Sequence, residues 1–104
     1  MSWQRMAPEA AAQLIAERDP AIVDVRDAHS FAAAHLRSAL LLDNQSVQDF
    51  IEDADKTRPV LVYCYHGNSS QSAAAWLSEK GFAEVYSLDG GFEYWRGQYP
   101  IEAG

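Results

Sequence analysis

The chain has 104 residues, 48 % of them hydrophobic and 22 % charged, the balance of one soluble globular domain over residues 1–104 with room for a modest core. Its formal charge of −7 argues against the nucleic-acid binders, which present basic footprints to phosphate, and repels any small anionic ligand unless a local cluster of donors overcomes the field. A single cysteine allows no internal disulfide, so the core alone must hold the fold and a reducing cytoplasm is the expected compartment.

Glu9 and Gln13 interrupt the opening stretch before it reaches the length of a secretory signal, and no run approaches the roughly 18 apolar residues of a membrane span. "SWQRM" reads as a short edge strand. Pro8 suits the first turn of a helix, and "PEAAAQLIAER" sets Leu14 and Ile15 on one face. "AIVDV" has the short apolar run of a buried parallel strand, and "DAHSFAAAHL" reads as a helix capped by Asp27. "ALLLD" is a third strand. "SVQDFIEDAD" is a helix with Ser46 at its cap and Val47, Phe50 and Ile51 facing inward. "PVLVYC" is the clearest central strand, with Pro59 where a missing N–H does least harm. "SSQSAAAWLSEKG" is a helix closed by Gly81, "AEVYSL" a last strand, and "GGFEYWRGQYP" an irregular or short helical end. Strand and helix alternate about five times, which predicts an α/β fold: a central, mainly parallel five-stranded sheet with helices on both faces.

In such sheets ligands sit beyond the carboxyl ends of the strands, and the lone cysteine, Cys64, falls at one such end. The continuation "CYHGNSS" is small and polar. Gly67 admits positive φ and Asn68 tolerates it, so the turn can aim successive backbone N–H groups at one centre. The helix starting near Ser69 adds unpaired N–H groups and the positive end of its dipole. A thiolate in that bowl has its pKa lowered from about 8.5 toward roughly 3.5–7.5, and the bowl supplies the donors an anionic substrate needs. The alternative is an inert cysteine packed as a small apolar residue, which has no use for so polar a continuation.

Three segments in order carry a family resemblance over nearly the full length: "IVDVRDAHSFAAAHLRSA", "CYHGNSS" and "YSLDGGFEYW". The chain resembles the rhodanese homology domain, and within it the single-domain thiosulfate sulfurtransferases of the GlpE type. The resemblance implies a Cys64 thiolate that attacks the outer sulfur of thiosulfate, releases sulfite and keeps the sulfur as a persulfide. Cyanide or a thiol acceptor, a thioredoxin-like protein among the candidates, then collects it. Tyr65, His66, Gly67, Asn68, Ser69 and Ser70 would hold substrate and persulfide, through backbone N–H groups and, for Ser69 and Ser70, hydroxyls or a helix cap. No cofactor or metal is implied. Many rhodaneses carry a cation in this loop and this chain has none between Cys64 and Gln71, so weak thiosulfate affinity is expected. A persulfide carrier in a protein-to-protein relay needs the same residues and is the alternative function.

Other cysteine chemistries fit less well. Phosphatases and arsenate reductases with C-x5-R grip an oxyanion with arginine, but the sixth residue after Cys64 is Ser70. A hydrolase needs a positioned histidine base, and His66 is too close in sequence to reach the sulfur in line. His29 reads as solvent-facing and His35 as a brace of the fold, and no two histidines stand at a familiar zinc spacing. Asp24 and Arg26 read as a structural tie between loops, Trp76 and Trp95 as core or rim packing, and Phe92 as a wall of the pocket mouth.

Overall fold

The computed structural model describes residues 2–104. Strand β1 (Trp3–Met6) leads into helix α1 (Pro8–Arg18), which starts with proline at its first turn and ends at Asp19 in the left-handed region. Strand β2 (Ala21–Asp24) is followed by α2 (Ala28–Ala33), where the Asp27 side chain accepts from Ser30 N–H. Two short strands, β3 (His35–Leu36) and β4 (Leu40–Leu41), precede α3 (Val47–Asp53). Strand β5 (Val60–Tyr63) then feeds α4 (Ser69–Glu79), β6 (Val85–Leu88) feeds α5 (Gly91–Trp95), and β7 (Ile101–Glu102) ends the chain.

Five strands form one sheet in the order β1-β6-β5-β2-β4, and every neighbouring pair is parallel. All four residues of β5 are fully buried, as a parallel strand covered on both faces requires. Alternation along the strands divides the core in two. Leu61 and Tyr63 face Ala11 of α1 and Phe92 and Trp95 of α5. Val60, Val62 and Val85 face Phe50 of α3 and Ala74 and Leu77 of α4. Each large aliphatic side chain sealed in these layers contributes about 1.5–3 kcal/mol. Strand order reverses between β2 and β5, so the loops leaving their carboxyl ends diverge and open the crevice where ligands bind in this architecture. Cys64 stands at that point.

One expected element is corrected, one pair of strands is added, and one helix start is refined. The helix expected through His35 and Leu36 stops at Ala33, because Ala34 is extended and the next two residues pair antiparallel with β7. Leu36 N–H donates to Tyr63 Oη and His35 stacks on Phe31 with centroids 4.0 Å apart, tertiary contacts that override the helical propensity of the alanine run. The β3–β7 pair was not expected at all. Ser46 holds the cap position of α3 without a side-chain cap bond; Asp43 Oδ1 takes the Gln45 and Ser46 N–H groups instead. Among the described residues no helix is long and apolar enough to cross a membrane.

Candidate active site

Cys64 follows directly on β5, and the chain curls over its sulfur before α4 begins. Gly67 N–H donates to Sγ at 3.3 Å, Ser70 N–H at 3.2 Å, and Ser70 Oγ lies 3.4 Å away. Gly67 achieves this with φ of +91°, a conformation costly for any residue with a Cβ. Asn68 holds the cap position of α4 with no side-chain bond, so neither Ser69 nor Ser70 caps the helix through its hydroxyl. The sulfur takes that place: it accepts from an N–H of the first turn that has no partner within the helix. Thiol and helix dipole are thereby brought together.

The carbonyls of Cys64, Tyr65, Gly67 and Asn68 are engaged away from the sulfur. Phe92 N–H donates to Cys64 O at 2.8 Å and Glu93 N–H to Tyr65 O at 3.0 Å, so the first turn of α5 anchors the start of the loop. Gln71 Nε2 donates to Gly67 O and Gln71 N–H to Asn68 O. With carbonyls drawn outward the amides are left facing inward, the arrangement of an anion-binding nest. Burial pushes the Cys64 thiol up, but the Ser70 hydroxyl and the N–H groups of Ser70, Gly67 and His66 outweigh it, and the thiol is held below its ordinary range.

The remaining expected residues occupy distinct places. Tyr65 and His66 are exposed, as are Asn68 and Ser69. Tyr65 Oη donates to Asp27 Oδ2 at 2.8 Å and touches Ser30 Oγ, which ties the loop to the start of α2. The Ser30 N–H, the Tyr65 hydroxyl and the Ser30 hydroxyl bring the Asp27 carboxyl down to about 2. Arg26 directs Nε and Nη2 at Asp24, at 2.7–3.1 Å, and Nη2 at Ala34 O, while its guanidinium lies over the Phe92 ring at 4.1 Å; among the described residues Nη1 bonds no protein group. Asp24 and Arg26 are both buried, so the pair is a structural tie. Phe92, Arg26, Tyr65, Ser30, Glu93 and Arg96 line a cavity of about 280 Å³ beside the loop. His35 is buried and bonded to Phe31 O, and His29 is exposed. Trp95 is core, whereas Trp76 is 39 % exposed on α4. Among the described residues no three His, Cys, Asp or Glu side chains gather as metal ligands do.

Two residues escaped the sequence reading. Gly91 carries no role in the sequence pattern, yet a Cβ there would stand 2.5 Å from Tyr65 O and 2.6 Å from Cys64 O; its bareness lets α5 dock on the loop. Ser87 is fully buried on β6 and bonds Ser70 Oγ at 2.8 Å. A hydroxyl at a core-facing position of an otherwise apolar strand was the available signal.

Comparison with known proteins places this geometry. The Rhodanese-like domain family matches residues 7–98. Thiosulfate sulfurtransferase GlpE of Pseudomonas putida is 55 % identical over 100 residues, 96 % of this chain and 91 % of the relative. The protein of the same name from Pseudomonas aeruginosa is 54 % identical over 101 residues, covering 97 % and 91 %. The solution structure of the rhodanese-like domain of the Anabaena protein Alr3790 superposes with a TM-score of 0.85 at 23 % identity, over 96 % of this chain and 79 % of that one, a likeness of fold. A lone cysteine at the end of the central strand, a loop wound around its sulfur and a match over most of the length meet in one conclusion: the chain belongs to the rhodanese-like domain family.

Proposed function

We propose that the chain is a thiosulfate sulfurtransferase in which residues 1–104 act as one domain and Cys64 carries the transferred sulfur. The observation that supports this most directly is the pair of amides, Gly67 and Ser70, already 3.3 and 3.2 Å from Sγ, around a thiol held below its ordinary pKa. The Cys64 thiolate attacks the outer sulfur of thiosulfate. As the new S–S bond forms, the old one breaks and its electron pair leaves with sulfite, so Cys64 keeps a persulfide with a terminal anionic sulfur. Cyanide, or a thiolate acceptor, then attacks that terminal sulfur and the Cys64 thiolate departs unchanged. Two displacements replace one difficult transfer, and no external oxidant or cofactor enters the balance.

The loop supplies what each step needs. Amides aimed at Sγ stabilise the thiolate that attacks and the thiolate that departs in the second step, and cost no reorganisation as charge moves out along the S–S axis to the terminal sulfur. Backbone N–H groups of Tyr65, His66, Gly67, Asn68, Ser69 and Ser70 receive the outer sulfur, since the carbonyls of Cys64, Tyr65, Gly67 and Asn68 are committed elsewhere. Arg26 holds Asp24 and Ala34 O through Nε and Nη2 and the loop itself carries no cation, so donor binding rests chiefly on amides, hydroxyls and the dipole of α4. In the cell the acceptor is a thiol, a thioredoxin-like dithiol protein being one fitting partner, and a reducing cytoplasm keeps Cys64 free.

The test is thiocyanate formation from thiosulfate and cyanide. Wild-type protein turns over, and Cys64→Ser is inactive with an unchanged circular dichroism spectrum and melting transition. Turnover retained by Cys64→Ser refutes the assignment. Sulfur loading without cyanide turnover, discharged only by another protein, points instead to the relay.

A further inference from the structure

Ser87 lies in register with Val62 of β5 on one side and Arg5 of β1 on the other. It shares the face of Val85, two residues earlier, and that face packs against α4 through Ala74 and Leu77. Every other residue named there is apolar. A hydroxyl sealed in such a layer costs free energy unless it is bonded, and among the described residues the partner of Ser87 Oγ is Ser70 Oγ, at 2.8 Å. Ser70 Oγ in turn lies 3.4 Å from Cys64 Sγ. Both serines are fully buried, which leaves water no ready part in the chain Cys64–Ser70–Ser87.

Counting protons along this chain gives it a direction. With the thiol protonated, three hydrogens, one on sulfur and one on each hydroxyl, share two contacts, and one donor is left unspent. With the sulfur anionic, two hydrogens meet two contacts: Ser87 O–H donates to Ser70 Oγ, and Ser70 O–H donates to Sγ. Every donor is then satisfied. The persulfide's inner sulfur carries no hydrogen either, so the same arrangement serves it.

We propose that Ser87 is a positioning residue for sulfur transfer, its hydroxyl donating to Ser70 and thereby directing the Ser70 proton onto Cys64 Sγ in the thiolate and persulfide forms. Ser87 does not touch the sulfur; its effect passes wholly through Ser70. The inference adopts the persulfide reading for its purpose, but its test needs no sulfur donor.

The experiment is the pH dependence of Cys64 alkylation by iodoacetamide in four proteins: wild type, Ser70→Ala, Ser87→Ala and the double variant. A hydrogen bond to an anionic group is among the stronger kinds, and one pKa unit is a tenfold change in thiolate fraction. Ser70→Ala is expected to raise the midpoint by about one unit, with alkylation about tenfold slower below it. Ser87→Ala is expected to raise it by less, about two- to threefold in rate, with no change in melting cooperativity. In the double variant the Ser87 substitution adds nothing, because the hydroxyl it oriented is gone. Ser87→Thr, which keeps the hydroxyl, restores the wild-type midpoint. An unchanged or lowered midpoint in Ser87→Ala, or the same rise on both Ser70 backgrounds, overturns the proposal. Failure of sulfur loading, measured separately, would bear on the sulfurtransferase reading and leave these midpoints as they are.

Discussion

Gly67→Ala separates the loop's chemical role from its structural one. Gly67 sits at φ +91°, and a Cβ there would stand 3.0 Å from Gly90 N and 3.1 Å from Leu88 O. Leu88 ends β6, a strand paired with β1 and β5, and Gly90 is the cap of α5; both are backbone atoms of packed elements, so they yield less readily than the loop. The positive φ alone costs an L residue about 1–2 kcal/mol, and a relaxed path for the loop bounds the total strain at about 1–3 kcal/mol. Relaxation carries the Gly67 N–H away from Sγ. Losing one aligned donor from a charge-stabilising site costs about 2.7–4 kcal/mol of barrier, a factor of about 10²–10³ in turnover. Activity is therefore expected to fall by at least two orders of magnitude while unfolding free energy falls by no more than about 3 kcal/mol. The assay is thiocyanate formation beside urea unfolding of the same preparation. Wild-type turnover, or a loss of turnover no larger than the folding free energy accounts for, would refute the reasoning.

Other substitutions and conditions probe the supports of the site. Gly91→Ala forces a Cβ to within 2.5 Å of Tyr65 O, so α5 must withdraw and lose two backbone bonds at about 1 kcal/mol each plus strain; turnover and urea midpoint should fall together, and an unaffected urea midpoint would contradict the docking role. Asp24→Ala strands a guanidinium whose side chain is only 2 % exposed, and removing one partner of such a pair costs about 3–5 kcal/mol, read as a drop in melting temperature; a loss under about 1 kcal/mol would mean that water reaches Arg26. The thiol's folded pKa lies below its ordinary value, so its stabilising contribution is present above that ordinary value and lost as pH falls through the depressed one. Unfolding free energy should accordingly carry a pH-dependent component in that window that Cys64→Ser lacks, measurable by urea unfolding at several pH values; identical pH profiles would contradict a lowered thiol. A loop with no cation of its own predicts a thiosulfate KM well above the micromolar range in steady-state kinetics, and a micromolar KM would show that Arg26 or Arg96 of the neighbouring cavity reaches the donor.

Local signals recovered most of the architecture, and their limits are physical. Helix α1 was readable from Pro8 to Arg18 because its proline start and apolar spacing are local properties. Strand β5 stood out as an unbroken apolar run, and its polar, glycine-bearing sequel foretold a loop that turns back over the Cys64 sulfur. Asp27 was identified as a cap because the bond it accepts spans three residues. The β3–β7 pair joins residues His35 and Glu102 across two-residue strands, too short for any periodicity to show. Gly91 and Ser87 were missed for a related reason. Their meaning lies in contacts with Tyr65 and Ser70, more than fifteen residues away in sequence. The loop itself was legible as a nest of amides; which two amides reach the sulfur, and what turns the carbonyls away, depends on α5 docking behind it.

The central claim is that Cys64 holds a transferable sulfur atom. Intact mass spectrometry of the protein after thiosulfate treatment tests it directly. The account predicts a gain of one sulfur atom that cyanide removes and that Cys64→Ser never acquires; an unchanged mass, or a gain that persists in Cys64→Ser, would contradict it.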